Sequence, residues 1–235
     1  MTLPVPVAVF ASGGGTNLQA LLDHEADGTA YRVALVVSDR PDAGALQRAR
    51  NAGRGAVVIP VKDTPPEEVE SHTLDALQSH GIEMILLAGY LRLVPLGVVR
   101  AYPGRILNVH PALLPAFGGA GMWGMHVHRA VLEAGVDTSG LTVHFVAEDY
   151  DSGSILAQWP VPVLPDDDAE VLARRILRVE HALYPEAADY LARAISEGRE
   201  ARPLGLLGEG APKVPEMDDA ELGRVTRAAV HGHST

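Results

Sequence analysis

The 235-residue chain contains no cysteine. That excludes a disulfide framework, a thiol nucleophile and a thiolate-bound zinc. Aromatic residues make up only 5%, so any core has to be built from Val, Leu, Ile and Ala. Cations are the minority charge, with 19 Lys and Arg against 30 Asp and Glu, a formal net charge of −11. This balance disfavours non-specific attraction to nucleic acid or an anionic membrane, but it leaves room for a local cationic pocket. No apolar run approaches the ~18 residues of a membrane span. The opening MTLPVPVAVFASGGG lacks a basic n-region, and its apolar stretch runs straight into glycines, unlike a secretory signal. A cytoplasmic protein with neither nucleic-acid nor membrane partners is expected. What is present is enough for a fold: 47% hydrophobic residues exclude global disorder. The length fits one α/β domain followed by a tail.

Apolar runs alternate with helical patterns through the first half. Strands are expected at Val5–Ala11, Val33–Val37, Ala56–Pro60, Ile82–Ala88 and Arg105–Val109. Helices are expected from Asn17 to Asp23, Asp42 to Ala52 and Glu67 to His80. Near-continuous apolar strands separated by helices indicate a Rossmann-like, mostly parallel sheet with helices on both faces. In the second half, Leu141–Val146 alternates and Ser154–Val161 follows a short acidic link, which reads as antiparallel strands at the C-terminal edge. Val171–Ile195 has helical spacing behind Asp166–Asp168, with Pro185 expected to kink or break it. The segment from about Arg202 is rich in Gly and Pro and is read as a tail, with a short helix at Asp219–Val230. The domain division is therefore 1–201 and 202–235.

Ser12-Gly13-Gly14-Gly15-Thr16-Asn17 joins the first strand to the first helix. Successive glycines let the backbone approach a ligand, and the N–H groups of a helix start favour an anion. A phosphate site is the expectation, with a tight turn as the plainer alternative. A Walker ending is absent, and the third glycine of a dinucleotide fingerprint is replaced by Leu18. Asp39 nevertheless lies at about the spacing of a ribose-binding acid, which keeps a dehydrogenase open.

Asn108-Val109-His110-Pro111 ends a predicted strand. Residues two apart on a strand face the same way, so an amide donor and an imidazole address one side. Such a pair can stabilise an oxyanion and move protons at neutral pH, although the pattern alone is common. Around it stand LLAGYLRL at 86–93, NVHPALLPAF at 108–117, TVHFVAEDYDSG at 142–153 and EHALYP at 180–185. With SGGGTN, these segments resemble the glycinamide ribonucleotide (phosphoribosylglycinamide) formyltransferases over residues 4 to about 198.

The resemblance implies transfer of a formyl group from 10-formyltetrahydrofolate to the amine of 5′-phosphoribosylglycinamide, in purine biosynthesis. By the same resemblance Asn108, His110 and Asp151 are the catalytic trio. Gly15, Thr16 and Asn17 form the substrate phosphate loop, and Glu180 is a further substrate contact. Leu91, Arg92, Leu93 and Val94 form part of the folate pocket, with the backbone of the 148–153 loop. No metal is implied, the partners are small-molecule substrates, and a homodimer is compatible with the pattern. One departure stands out: where the family often carries a folate-reaching Arg after the third strand, this chain reads Lys62-Asp63-Thr64-Pro65-Pro66. A Lys supplies a point charge but no planar fork.

Other candidates have plainer readings. His126 and His128 sit two apart at a helix start and do not share a face, which argues against a metal pair. His144 shares a strand face with Thr142 and is divided between support of the site and ordinary core. Tyr90 and Trp123 are read as core by default, with the lining of a pterin pocket as the alternative, and the glycine-rich 118–125 segment is read as a lid or a simple loop. His231 and His233 carry no expected chemistry. Methionyl-tRNA formyltransferase and formyltetrahydrofolate deformylase share the machinery but are expected to carry a further domain. An oxidoreductase would rest on the glycine loop and Asp39 alone. A non-catalytic nucleotide-binding module would leave the trio unexplained.

Overall fold

A computed structural model describes residues 3–208, 211 and 213–232. It divides into two units, Met1–Asn108 with Leu191–Glu200, and Val109–Tyr190 with Ala201–Thr235.

The first unit is a parallel sheet of β1 (Val5–Phe10), β2 (Tyr31–Ser38), β3 (Gly55–Val58), β4 (Met84–Leu87) and the start of β5 (Ile106–His110). Its order is β3-β2-β1-β4-β5. The chain thus steps outward from β1 through β2 to β3, then crosses back to β4 on the other side of β1. Right-handed crossovers place α1 (Thr16–Glu25) and α2 (Gly44–Asn51) on one face, and α3 (Pro66–Ser79) and α4 (Leu96–Ala101) on the other. Both faces are therefore covered, which is why these strands are apolar at nearly every position. Val7, Val9, Leu35, Val36, Ile85 and Leu86 are all fully buried. The order reverses at β1, and the loops leaving the carboxyl ends there are the usual ligand position of open α/β sheets.

In the second unit β6 (Thr138–Phe145) pairs antiparallel with β7 (Ile155–Pro162), with a register shift between Val143 and His144. A two-residue strand, β8 (Gly205–Leu206), adds in parallel to β7. The unit's helices are α5 (Met125–Glu133), α6 (Ala169–Ser196, up to Tyr190) and α7 (Asp219–His231). The fold class is α/β, mostly parallel with antiparallel strands following toward the C-terminus, as expected from the sequence.

Of the kink or break expected at Pro185, the break does not occur: α6 runs through it as one helix of 28 residues. Every residue from Leu183 to Tyr190 is buried, and packing on both sides outweighs the one lost backbone bond. Asp168 starts that helix by accepting from the Val171 amide at 2.7 Å, and Asp167 pairs with both terminal nitrogens of Arg175. The acidic run is therefore a helix start, as the sequence indicates.

Beyond Arg202 the described residues pack on the rest of the second unit. Leu204 and Leu207 amides bond to the Leu156 and Gln158 carbonyls of β7 at 2.6 and 2.8 Å. Arg178 of α6 binds Asp219 Oδ1 at 2.6 Å and the Met217 carbonyl at 2.5 Å. Arg227 and His231 of α7 both engage the buried carboxylate of Glu186, at 2.7 and 3.0 Å. Leu204, Leu207, Val214, Met217, Leu222 and Val230 are buried. Sparse but well-placed apolar residues, with ion pairs at both ends of α7, explain why low periodicity understated this segment. His233 lies outside the described residues.

Candidate active site

The second unit carries a compact cluster of titratable groups. On β5, Asn108 is partly exposed and His110, two residues on, is buried. The chain after His110 turns back so that the Phe117 carbonyl lies 2.9 Å from His110 Nε2. A carbonyl can only accept, so Nε2 carries a hydrogen and the exchangeable proton position is Nδ1. Nδ1 faces Asp151 Oδ2 at 3.6 Å, and Asp151 Oδ1 lies 3.5 Å from His144 Nε2. The Gly119 amide donates to Asp151 Oδ2 at 3.0 Å.

Two non-glycine residues of this cluster, Phe117 and Asp151, have φ of +57° and +52°. That left-handed backbone is costly for such residues and is held only where the surroundings dictate it. Gly153 closes the loop after β6, since a Cβ there would collide with the Phe145 carbonyl.

Electrostatics follow the geometry. Burial lowers the pKa of His110, while Asp151 and the Phe117 carbonyl work against that and His144 adds to it. Burial acts to raise Asp151, but the bonds from His144 and Gly119 and the neighbouring imidazoles outweigh it, so the carboxyl lies below its ordinary range. Burial thus favours the neutral His110 ring, and the ionised Asp151 beside it partly offsets the cost when the ring takes a proton.

The HxH pair divides as helix geometry requires. His126 is exposed against the Trp123 ring at 4.9 Å, whereas His128 is buried. Burial, and then the charge of His110, push the pKa of His128 down to about 4. Among the described residues no group of three or more His, Cys, Asp or Glu is arranged to hold a metal. Trp123 is half exposed, not core as expected. Tyr90 packs edge-on against Phe10. Glu180 is half-buried on α6.

The first unit holds the glycine loop. The Gly13 carbonyl accepts from Ala45, the Gly14 carbonyl from Arg48 Nε at 2.8 Å, and the Gly15 carbonyl from Gln19. Trans peptide units oppose each C=O to the next N–H. The amides of Gly14, Gly15 and Thr16 are therefore turned away from those partners, as an anion cradle requires. Gly15 has φ +75°, and a Cβ there would lie 2.7 Å from Ala45 Cα, whereas Gly13 and Gly14 face open space.

Beside this loop the Ser12 hydroxyl accepts from the Leu91 amide at 3.0 Å. Asp39, the residue that kept a dehydrogenase open, is occupied differently: its Oδ2 pairs with Arg92 Nε at 2.9 Å. Arg92 and Leu93 are exposed, Leu91 is partly buried and Val94 is buried. Lys62 is exposed in the turn before α3. Sequence reasoning missed the Phe117 carbonyl and the Gly119 amide, which are backbone groups and leave no side-chain signal.

This fold and cluster define a formyl transferase: the model of that family matches residues 5–188, and the chain belongs to it. A phosphoribosylglycinamide formyltransferase of Arabidopsis thaliana, described as chloroplastic, is 45% identical over 197 residues, 83% of this chain and 68% of that protein. The enzyme of the same name from Bacillus subtilis is 35% identical over 201 residues, 83% of this chain and 98% of its own. Among solved structures, glycinamide ribonucleotide transformylase 1 of Symbiobacterium toebii is similar with a TM-score of 0.76 and 44% identity. That match covers 81% of this chain and 89% of the other.

Proposed function

We propose that the chain transfers the formyl group of 10-formyltetrahydrofolate to the amine of 5′-phosphoribosylglycinamide, a step of de novo purine biosynthesis. The observation that carries this reading is the buried His110, its tautomer held by the Phe117 carbonyl and its Nδ1 facing Asp151. The folate supplies an electrophilic formyl carbon; the amine attacks it, the C–N bond to the folate breaks, and the proton lost by the amine goes to the departing nitrogen. Asn108 donates its amide hydrogen to the formyl oxygen as negative charge gathers there. His110 takes up and returns the proton at Nδ1, and Asp151 favours the charged ring while it does so.

The residues fit both substrates. The amides of Gly14, Gly15 and Thr16, turned away from the partners of the loop carbonyls, with Asn17 beside them and Arg48 of α2 bound to the loop, suit a phosphate. The apolar Leu91, Leu93 and Val94, with the Arg92 guanidinium fixed by Asp39, suit an aromatic ring system with an anionic tail. Glu180 is assigned as a further contact to the glycinamide substrate. Residues 1–201 form the catalytic domain in this reading, and 202–235 stabilise it.

The partners are these small molecules alone, with no nucleic acid or membrane, in the cytoplasm. Among the described residues no helix is long and apolar enough to cross a membrane. Solution mass decides between a monomer and the homodimer compatible with the sequence.

Mixing the protein with both substrates and following folate absorbance tests the activity. A change that needs the glycinamide supports transfer; a change without it shows hydrolysis, and none at all removes the proposal. Asn108→Ala, His110→Ala and Asp151→Ala should each lower kcat by about 10²–10³ while the fold persists. Near-full turnover at saturation in all three would show the trio to be wrongly assigned.

A further inference from the structure

The turn that follows His110 returns to it at Phe117, and one fully buried side chain ties that turn down. The Thr142 hydroxyl on β6 donates to the Ala112 carbonyl at 2.6 Å and accepts from the Leu114 amide at 3.0 Å. It also accepts from Gln158 Nε2 at 3.0 Å. One donor and two acceptor positions are all a hydroxyl has, so its capacity is filled. Gln158 lies directly opposite Thr142 in the β6–β7 register, and its Nε2 donates as well to the Leu114 carbonyl at 2.9 Å. The peptide groups on both sides of Leu113 are thus bracketed by two side chains.

The bracket reaches the cluster through close contacts. Gly140 on β6 makes room for Leu113, since a Cβ there would lie 2.5 Å from Leu113 Cδ2. The Leu114 side chain seats under Gly118, where a Cβ would also lie 2.5 Å from it. Gly118 stands between the carbonyl that holds His110 and the amide that holds Asp151. In an interior packed this closely, displacing Leu114 by a few tenths of an ångström moves both.

We propose that Thr142 and Gln158 are positioning residues for the transfer reaction, fixing residues 111–119 so that Phe117 holds His110 and Gly119 holds Asp151. The proposal rests on the function given above, since it needs His110 and Asp151 to be the working groups. Neither Thr142 nor Gln158 touches a reactant; they act through the turn. A purely structural role would lower melting temperature and leave the chemistry of His110 alone.

Thr142→Val keeps the shape and removes the hydroxyl; Thr142→Ser keeps the hydroxyl. Two readouts separate the possibilities: kcat and KM with both substrates, and titration of the His110 ring by NMR on the whole protein. The groups facing that ring, Asp151, His144 and His128, are unchanged in both variants. In Thr142→Val, kcat should fall about tenfold or more with KM changed less than about threefold, as expected for misplaced reacting groups. The His110 midpoint should move down, because the Phe117 carbonyl that favours the charged ring is no longer held in place. Thr142→Ser should restore both.

Wild-type kcat and an unmoved His110 titration in Thr142→Val would overturn the proposal. If that variant does not fold, Gln158→Met carries the same test with the bonds of Thr142 to Ala112 and Leu114 intact. If the wild-type protein transfers no formyl group, the function fails first. An unchanged ring titration in the variant then still overturns the positioning role by itself.

Discussion

His128 offers the sharpest test of the electrostatics, because its environment opposes its charge from two sides. The ring is buried on α5, its Nδ1 has no hydrogen-bond partner among the described residues, and burial and then the charge of His110 push its pKa from 6.5 to about 4. In the unfolded chain it takes its proton near the ordinary value. Between those two values the unfolded state holds more protons, so stability is complete above the unfolded pKa and falls as pH drops toward the folded one. At about pH 4.5 the linkage amounts to about 2.5 kcal/mol, an upper bound because water entry eases a buried charge. The perturbation is His128→Leu, which removes both the titration and the unpartnered nitrogen. Urea unfolding of both proteins at about pH 7.5 and about pH 4.5 reads the difference. The wild type should lose about 1–2.5 kcal/mol more than the variant over this interval. His110, Asp151 and Asp167, whose folded pKa values are also lowered, contribute loss of the same sign in both proteins. Equal pH penalties in the two proteins would refute the reasoning, and His128 would have to be solvated or paired.

The glycine loop separates two roles that sequence alone merges. Gly14→Ala adds a methyl to open space, so it should raise KM for the glycinamide substrate several-fold while melting temperature and folate KM hold steady. Gly15→Ala meets Ala45 of α2 and a positive φ, so it should lower thermal stability, by about 1–3 kcal/mol; the opposite pattern in the two variants would show that the phosphate reading is misplaced. Truncation after Arg202 removes β8, α7 and the Arg227 and His231 partners of Glu186. It should lower Tm by about 5–10 °C and, assayed well below that temperature, leave KM for both substrates unchanged. An unchanged Tm in calorimetry would mean that the docked segment contributes nothing.

What was legible in the sequence follows from what each element has to bury. The parallel strands of the first unit are covered on both faces, so β1, β2 and β4 appear as apolar runs. The apolar run of the second strand begins two residues after the strand does, because exposed Arg32 interrupts its start after Tyr31. The six-residue α4 is too short to display a period and was missed. α7 was legible: Asp218 caps it by accepting from Glu221, and Leu222, Thr226 and Val230 recur at four-residue intervals on its buried side. Its partners were not, because Arg178 and Glu186 lie some forty residues earlier. The break expected at Pro185 is absent for the opposite reason, since tertiary packing there outweighs the local rule.

The same division runs through the site. Residue types with intrinsic chemistry, Asn108, His110 and Asp151, announce themselves once several segments share a family pattern. The state of those groups does not, because it is set by atoms every residue possesses. The Phe117 carbonyl fixes which ring nitrogen of His110 carries the permanent hydrogen. The Gly119 amide, with the neighbouring imidazoles, keeps Asp151 ionised against the pull of its own burial. Both backbone groups lie in one turn, and replacing a side chain within it would not remove either of them. Only a change in the path of the chain would do so, and that path is dictated from β6 and β7, where Thr142 and Gln158 carry no chemical signature of their own. A substitution far from any reactant can therefore alter the proton chemistry of His110 while leaving every residue of the trio in the sequence.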